Sequence, residues 1–170
     1  RSLGAGKVVG ICPAGSWAAK TWDVEKFASV GDMITERMGH SVVIIWGPGE
    51  KPLAERMCAL MRTKAEIACR TSLPEAAALM RRCSVFVSND SGLKHVAVAV
   101  GTPTVTIYGP TNPRTWNPPL EKHRAVSAEV ECLFCDKNTC DSMACMRELA
   151  PEKVFDQVRR LLAWEETGKN

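Results

Sequence analysis

SNDSGLKHVAVAVGTPTVTIYGPTNP, residues 88–113, is the stretch that decides the fold. Ahead of it Cys83-Ser-Val-Phe-Val87 is a short β-branched run that reads as a buried strand. Asn89-Asp-Ser-Gly92 favours a turn and a helix start. His95 to Val100 is apolar with small residues and reads as a buried helix, which Gly101 and Pro103 stop. Thr104 to Tyr108 is a second β-branched strand, closed by the stiff loop Gly109-Pro-Thr-Asn-Pro113. The result is one βαβ unit whose polar residues gather where both strands end. Ligands of open parallel sheets sit at the carboxyl ends of the strands. A helix start there presents free backbone N–H groups and partial positive charge, which suits phosphate.

Outward from this unit, strand and helix signals alternate. Lys7–Cys12 reads as a first strand, after a lead-in over Gly4–Gly6 that lacks the context of a dinucleotide fingerprint. Val24–Met38 is an amphipathic helix ended by Gly39, and Ser41–Trp46 is a second strand. Leu53–Arg62 is a helix, and Ile67–Cys69 a short third strand. Ser72 and Glu75 form a capping box at the next helix, with Pro74 at an early position. Arg114–Pro119 reads as a proline-rich loop that puts Trp116 near the mouth of the cleft, Arg124–Ser127 as a sixth strand, and Pro151–Trp164 as a terminal helix with frayed residues after it. This pattern predicts an α/β, Rossmann-like domain over residues 1–170, with a mainly parallel six-stranded sheet and helices on both faces.

The 170 residues suffice for one real core, and 45% hydrophobic with 24% charged residues excludes a disordered chain. No run approaches the ~18 apolar residues of a membrane span. The N-terminus lacks an apolar signal core, which fits a cytoplasmic protein. A net charge of +3 suits an anionic ligand or an acidic membrane surface without requiring either. Cys12, Cys58, Cys69 and Cys83 sit in apolar contexts and read as buried thiols. Cys132, Cys135, Cys140 and Cys145 are different, because one loop over residues 132–145 carries four thiols at spacings that tetrahedral zinc accepts. A structural zinc and metal-free thiols, reduced or disulfide-linked, both remain open. A nucleic-acid knuckle is disfavoured, since Asp136 and Asp141 offset Lys137 and Phe134.

Asn89-Asp-Ser-Gly-x-x-His95-x-Ala97, Gly101-Thr-Pro-Thr-Val105 and Tyr108-Gly-Pro-Thr-Asn-Pro113 together resemble the signature of family 9 glycosyltransferases, the lipopolysaccharide heptosyltransferases and their relatives. Pro13-Ala-Gly-Ser16, with Lys20 and Trp22 behind it, and Thr71-Ser-Leu-x-Glu75 are similar to further family segments. The resemblance runs from about Val8 to Val154. It implies the C-terminal, donor-binding half of a two-domain GT-B enzyme. The donor would be an ADP-sugar, with heptose first, and the acceptor a lipopolysaccharide core at the inner face of the inner membrane. The acceptor domain and its general base would lie in the missing N-terminal half.

By the same resemblance Ser16 and Lys20 face the donor diphosphate, and Lys20 is the catalytic cation that meets the leaving-group charge. Asp90, Ser91, Gly92 and His95 complete the donor site. Glu50 is the candidate for the ribose hydroxyls, with Glu55 a second possibility and helix capping the competing role for Glu50. Lys94 stands where relatives often carry Met or Ser, which leaves the sugar preference open. No cofactor is implied for catalysis and no nucleic-acid partner. The competing function is a non-catalytic zinc module, for nucleic acid or protein partners, built on the cysteine loop. A hydrolase using Asp90, Ser91 and His95 has little support, because the three are too close in sequence for a triad and Gly-x-Ser-x-Gly is missing.

Overall fold

The computed structural model describes residues 6–167, and side chains to residue 164. Six strands form one all-parallel sheet. They are β1 (Val8–Cys12), β2 (Ser41–Ile44), β3 (Ala65–Ile67), β4 (Val85–Asn89), β5 (Thr104–Ile107) and β6 (His123–Val126). The order across the sheet is β3-β2-β1-β4-β5-β6. The chain therefore builds outward from β1 in one direction, returns to β4, and builds outward in the other. The seam between β1 and β4 is the switch point, where the following loops part and leave a crevice.

Residue alternation along the strands divides the core. Val9, Ile11, Val42, Ile44, Val85, Val87, Val105 and Ile107 face one layer. That layer is made by α1 (Val24–Met38), α2 (Lys51–Leu60) and α7 (Pro151–Thr167). Cys12, Val43, Ile45 and Phe86 face the other, made by α3 (Leu73–Arg81) and α4 (Gly92–Ala99). Strands buried on both faces are expected to read as continuous apolar runs, as Val42–Ile44 of β2 and Val85–Val87 of β4 do. Gly10 is required by close packing, since a Cβ there would lie 2.9 Å from the Phe86 ring and 3.0 Å from Cys83 Sγ.

Differences from the sequence reading lie at element ends and in the loops after β5. The third strand is Ala65–Ile67, two residues earlier than the apolar run suggested, because Glu66 pairs with Val43 at a sheet edge that tolerates polar residues. The second helix starts at Lys51, with Pro52 in its first turn. α4 begins at Gly92 with Ser91 at its N-cap position, where the Asn89–Gly92 cluster signals a helix start, and it carries Lys94 and His95 in its first turn. The segment read as a loop after Pro113 starts with a short helix, α5 (Pro113–Trp116), because the Asn112 side chain accepts from Arg114 N at 2.9 Å. A second short helix, α6 (Ala144–Arg147), was not expected at all. Ser72 and Glu75 do form the capping box, Glu75 Oε2 accepting from both Ser72 N and Oγ at 2.7 Å. Gly4 of the lead-in and residues 168–170 of the expected frayed end lie outside the described residues, whereas the α7 backbone is helical to Thr167. Among the described residues no helix is long and apolar enough to cross a membrane.

Candidate functional site

β1 and β4 end side by side, in register from Val9 with Val85 to Cys12 with Ser88. Asn89 then stitches the two following loops together. Its side-chain amide donates to Pro13 O (2.9 Å) and Ala14 O (3.1 Å), and its carbonyl accepts from Trp22 N at 3.0 Å. Asn89 is fully buried, so these bonds fix the loop carrying Ser16 and Lys20 over the start of α4. Two adjoining hollows open there. One, of about 320 Å³, lies among Ser16, Lys20, Asp90, Ser91, His95 and Thr111, with Trp17, Trp116 and Asp136 at its walls. The other, of about 350 Å³, runs past Cys12, Gly47, Pro48, Glu50, Leu93 and Val96. Ser16, Ser91 and Gly92 line both, so the first turn of α4 is the ridge between them.

That turn has the chemistry an anion needs. The first N–H groups of a helix have no partner within it. Ser91 occupies the N-cap position, yet its hydroxyl makes no capping bond and is buried with no partner. Thr111, only 2% exposed, also holds its hydroxyl buried and unpartnered beside the first hollow. A Cβ built on Gly92 would meet nothing within 4 Å, so the backbone at the helix start is open to a ligand. Lys20 supplies the cation. It ends a single 3-10 turn (Ala18–Lys20), is 8% exposed, and lies 4.4 Å from the centroid of the Trp17 ring.

Asp90 lies between two ammonium groups. Its Oδ2 is 3.8 Å from Lys20 Nζ, and its Oδ1 is 2.9 Å from Lys94 Nζ. Lys94 is fully buried and also donates to the Tyr108 hydroxyl (3.1 Å) and to Trp116 O (2.7 Å). Burial, and then the Asp90 charge, push the Tyr108 hydroxyl pKa far up, so it stays protonated. His95 stands at the rim, its ring edge-to-face with Trp116, the centroids 6.3 Å apart. Partial loss of solvent around the ring, and then the Lys94 charge, hold His95 below the ordinary histidine value, which favours the neutral imidazole. No hydrogen bond links Ser91 Oγ to His95 or Asp90, so no nucleophile–base pair of a hydrolase is formed.

Glu50 lines the second hollow, but Oε2 accepts from Gly47 N at 2.7 Å and closes the Gly47–Glu50 turn. It occupies the N-cap position of α2 without capping through its side chain. Glu55 is exposed and paired with Lys51 at 2.9 Å, and it lines neither hollow. The structure thus brings Ser16, Lys20, Asp90, Ser91, Gly92 and His95 to one hollow and Glu50 to its neighbour. Sequence reasoning did not single out Thr111, Trp17 or Asp136. Thr111 carried a signal, being a hydroxyl in the loop after the second strand of the central unit. Asp136 carried none, because it arrives through a fold-back of the cysteine loop.

That fold-back rests on Phe134 N and Asp136 N donating to Gly109 O (3.0 Å) and Pro110 O (2.8 Å), with left-handed backbone at Phe134 (φ 60°) and Asp136 (φ 56°). Gly109 has to be glycine, since a Cβ there would lie 2.9 Å from Cys145 Sγ. Cys145 is buried, while Cys132, Cys135 and Cys140 are exposed, and all four thiols are free. Among the described residues no three His, Cys, Asp or Glu side chains are arranged to hold a metal ion. The loop also carries Asp136 to the wall of the first hollow.

The family model of glycosyltransferase family 9 (heptosyltransferase) matches residues 2–146. Lipooligosaccharide heptosyltransferase 2 of Haemophilus influenzae is 28% identical over 171 residues, covering 95% of this chain and 49% of its own length. The Campylobacter jejuni serotype O:2 protein of the same name is 30% identical over 165 residues, covering 92% and 51%. Among solved structures, that of E. coli ADP-heptose lps heptosyltransferase II superposes with a TM-score of 0.81 at 27% identity, covering 97% of this chain and 49% of its own. The chain spans about half the length of the curated relatives it matches.

Proposed function

This chain belongs to glycosyltransferase family 9, and from that premise we propose that it is the C-terminal, donor-binding half of a heptosyltransferase. The donor is ADP-heptose and the acceptor a lipopolysaccharide core, by analogy with the E. coli relative's name. One observation carries the reading. Two buried hydroxyls without partners, Ser91 Oγ and Thr111 Oγ1, border the same hollow as Lys20 and an uncapped helix start. Buried polar groups are nearly always satisfied, so an unpaired set around one hollow calls for a ligand rich in acceptors. A diphosphate is such a ligand.

In this reading the diphosphate lies across the first turn of α4. The ribose and base extend into the second hollow, past Glu50, Pro48 and Val96, and the sugar lies toward Asp90, Thr111 and Trp116. Attack by the acceptor hydroxyl on the anomeric carbon inverts that centre and breaks its bond to the diphosphate oxygen. The charge that builds on that oxygen is met by Lys20, the Ser91 and Thr111 hydroxyls and the α4 N–H groups, which are already in place before reaction. The acceptor site and the base that takes its proton belong to the portion of the relatives that this chain does not span. The interaction-module alternative lacks a comparable observation, since the cysteine loop is packed onto the strand-end loop of the same site.

Transfer assays test this. The 170-residue chain, given ADP-heptose and core acceptor, should bind donor but release no ADP by transfer. Adding the N-terminal half of a relative, fused or in trans, should restore ADP release, and Lys20→Ala should then lower kcat more than it raises KM. Robust transfer by the chain alone would refute the half-enzyme reading.

A further inference from the structure

We infer that Lys94 is a positioning residue of this site: by holding Asp90 it leaves the Lys20 ammonium available to an anionic ligand. The inference rests on the donor-site reading. Lys94 does not itself line either hollow. It projects from α4 into the protein, is 0% exposed, and its three N–H donors go to Asp90 Oδ1, the Tyr108 hydroxyl and Trp116 O. All three partners are acceptors at 3.1 Å or closer, so the ammonium is saturated and has no donor left for a ligand.

The geometry around Asp90 is asymmetric. The carboxylate is hydrogen-bonded to the buried lysine and stands 3.8 Å from the ligand-facing one, beyond hydrogen-bond distance. Lys20, Asp90 and Lys94 together carry one net positive charge beside the hollow. Without the Lys94 charge, Asp90 would turn its full charge on Lys20, and an arriving diphosphate would meet a neutral pair. Lys94 also ties the end of α5 through Trp116 O, so it sets the position of the Trp116 wall. Burial alone would drive this lysine toward its neutral form, and it is the hydrogen bond and charge of Asp90 that oppose this. Removing Lys94 thus perturbs charge and loop position together, and the two are separable by experiment.

The test is calorimetric titration of the 170-residue chain with ADP, inorganic pyrophosphate and adenosine. Lys94→Met should weaken ADP and pyrophosphate roughly tenfold, the scale of one partly screened charge, and leave adenosine unchanged. Asp90→Asn added to Lys94→Met should recover most of the loss, because a neutral amide no longer competes for Lys20. A merely structural role would not be rescued by removing the second charge. Thermal melts check folding, and Lys94→Gln replaces Lys94→Met if the latter does not fold. Unchanged anion affinity in Lys94→Met or Lys94→Gln, or a loss that Asp90→Asn does not recover, would overturn the inference and leave the donor site standing. Wild-type binding of pyrophosphate without ADP would sink the donor-site reading, while the same cycle read with pyrophosphate still decides the role of Lys94. Binding of neither would overturn both.

Discussion

Gly92→Ala separates the site's function from its stability. In the free protein the added methyl meets nothing within 4 Å, and the residue does not need left-handed backbone, so no strain is introduced. Replacing glycine by alanine in a helix is favourable by up to about 1 kcal/mol, and less at a first-turn position. The variant should therefore melt at the wild-type temperature or up to ~4 °C above it. Binding should move the other way. The methyl occupies the space through which a phosphate reaches the N–H groups of α4, forcing the ligand off one or two charge-assisted hydrogen bonds. At about 1.5–3 kcal/mol for such a bond, ADP affinity should fall by roughly ten- to a hundredfold. Calorimetry with ADP and a thermal melt on the same sample give both numbers. Unchanged ADP affinity would show that no phosphate sits on this helix start, and a lowered melting temperature would show that Gly92 is kept for packing.

His123 is 4% exposed, shares a 2.9 Å hydrogen bond with Thr104, and is pushed down to about 4 by burial first and then by the charges of Lys122 and Lys94. The unfolded chain takes up that proton first, near the ordinary value of 6.5, so the stability is fully present above 6.5 and is lost as pH falls toward 4. Going from pH 7 to pH 5 should cost about 2 kcal/mol, or roughly 4–8 °C in Tm, and His123→Gln should shrink that drop; an equal drop in the variant would refute the assignment. Glu50→Ala should weaken ADP by about 1–3 kcal/mol and leave pyrophosphate unaffected, whereas equal losses for both would place Glu50 at the phosphates. Protein made under reducing conditions should carry well under one zinc per chain by elemental analysis, since among the described residues no three His, Cys, Asp or Glu side chains are grouped to hold a metal; stoichiometric zinc lost on Cys135→Ser would instead assign the cysteine loop a structural metal.

The βαβ frame was legible because its signals are local. Apolar β-branched runs, the Gly39 and Gly101 stops and the Ser72–Glu75 box each act within a few residues, and both glycines do take left-handed backbone, at φ 66° and 84°. The six-strand order then follows from strands that alternate with helices and a chain that returns to the middle of the sheet. What was not legible depends on contacts distant in sequence. Lys94 reads as an extra cation beside the donor, yet it lines neither hollow, because Tyr108 and the Trp116 carbonyl enclose it from 14 and 22 residues away. Asn89 reads as a turn former, yet its bonds reach 67 to 76 residues back to the loop after β1. Asp136 reaches the site only because the cysteine loop hydrogen-bonds to Gly109 and Pro110. Ser16, Lys20 and the Asp90–His95 segment were legible as strand-end residues, and Glu50 only in part, since its bond to Gly47 N depends on how tightly the turn closes.

The most direct measurement is amide NMR of the 170-residue chain titrated with ADP. The largest shifts should fall on Gly92 and Leu93 at the start of α4, on Lys20, and on Thr111, with smaller ones along Gly47 to Glu50 where the nucleoside would lie. Saturating ADP that leaves these amides unmoved, or that moves only residues on the β3 edge or on α7, would contradict the assignment of this crevice as the donor site.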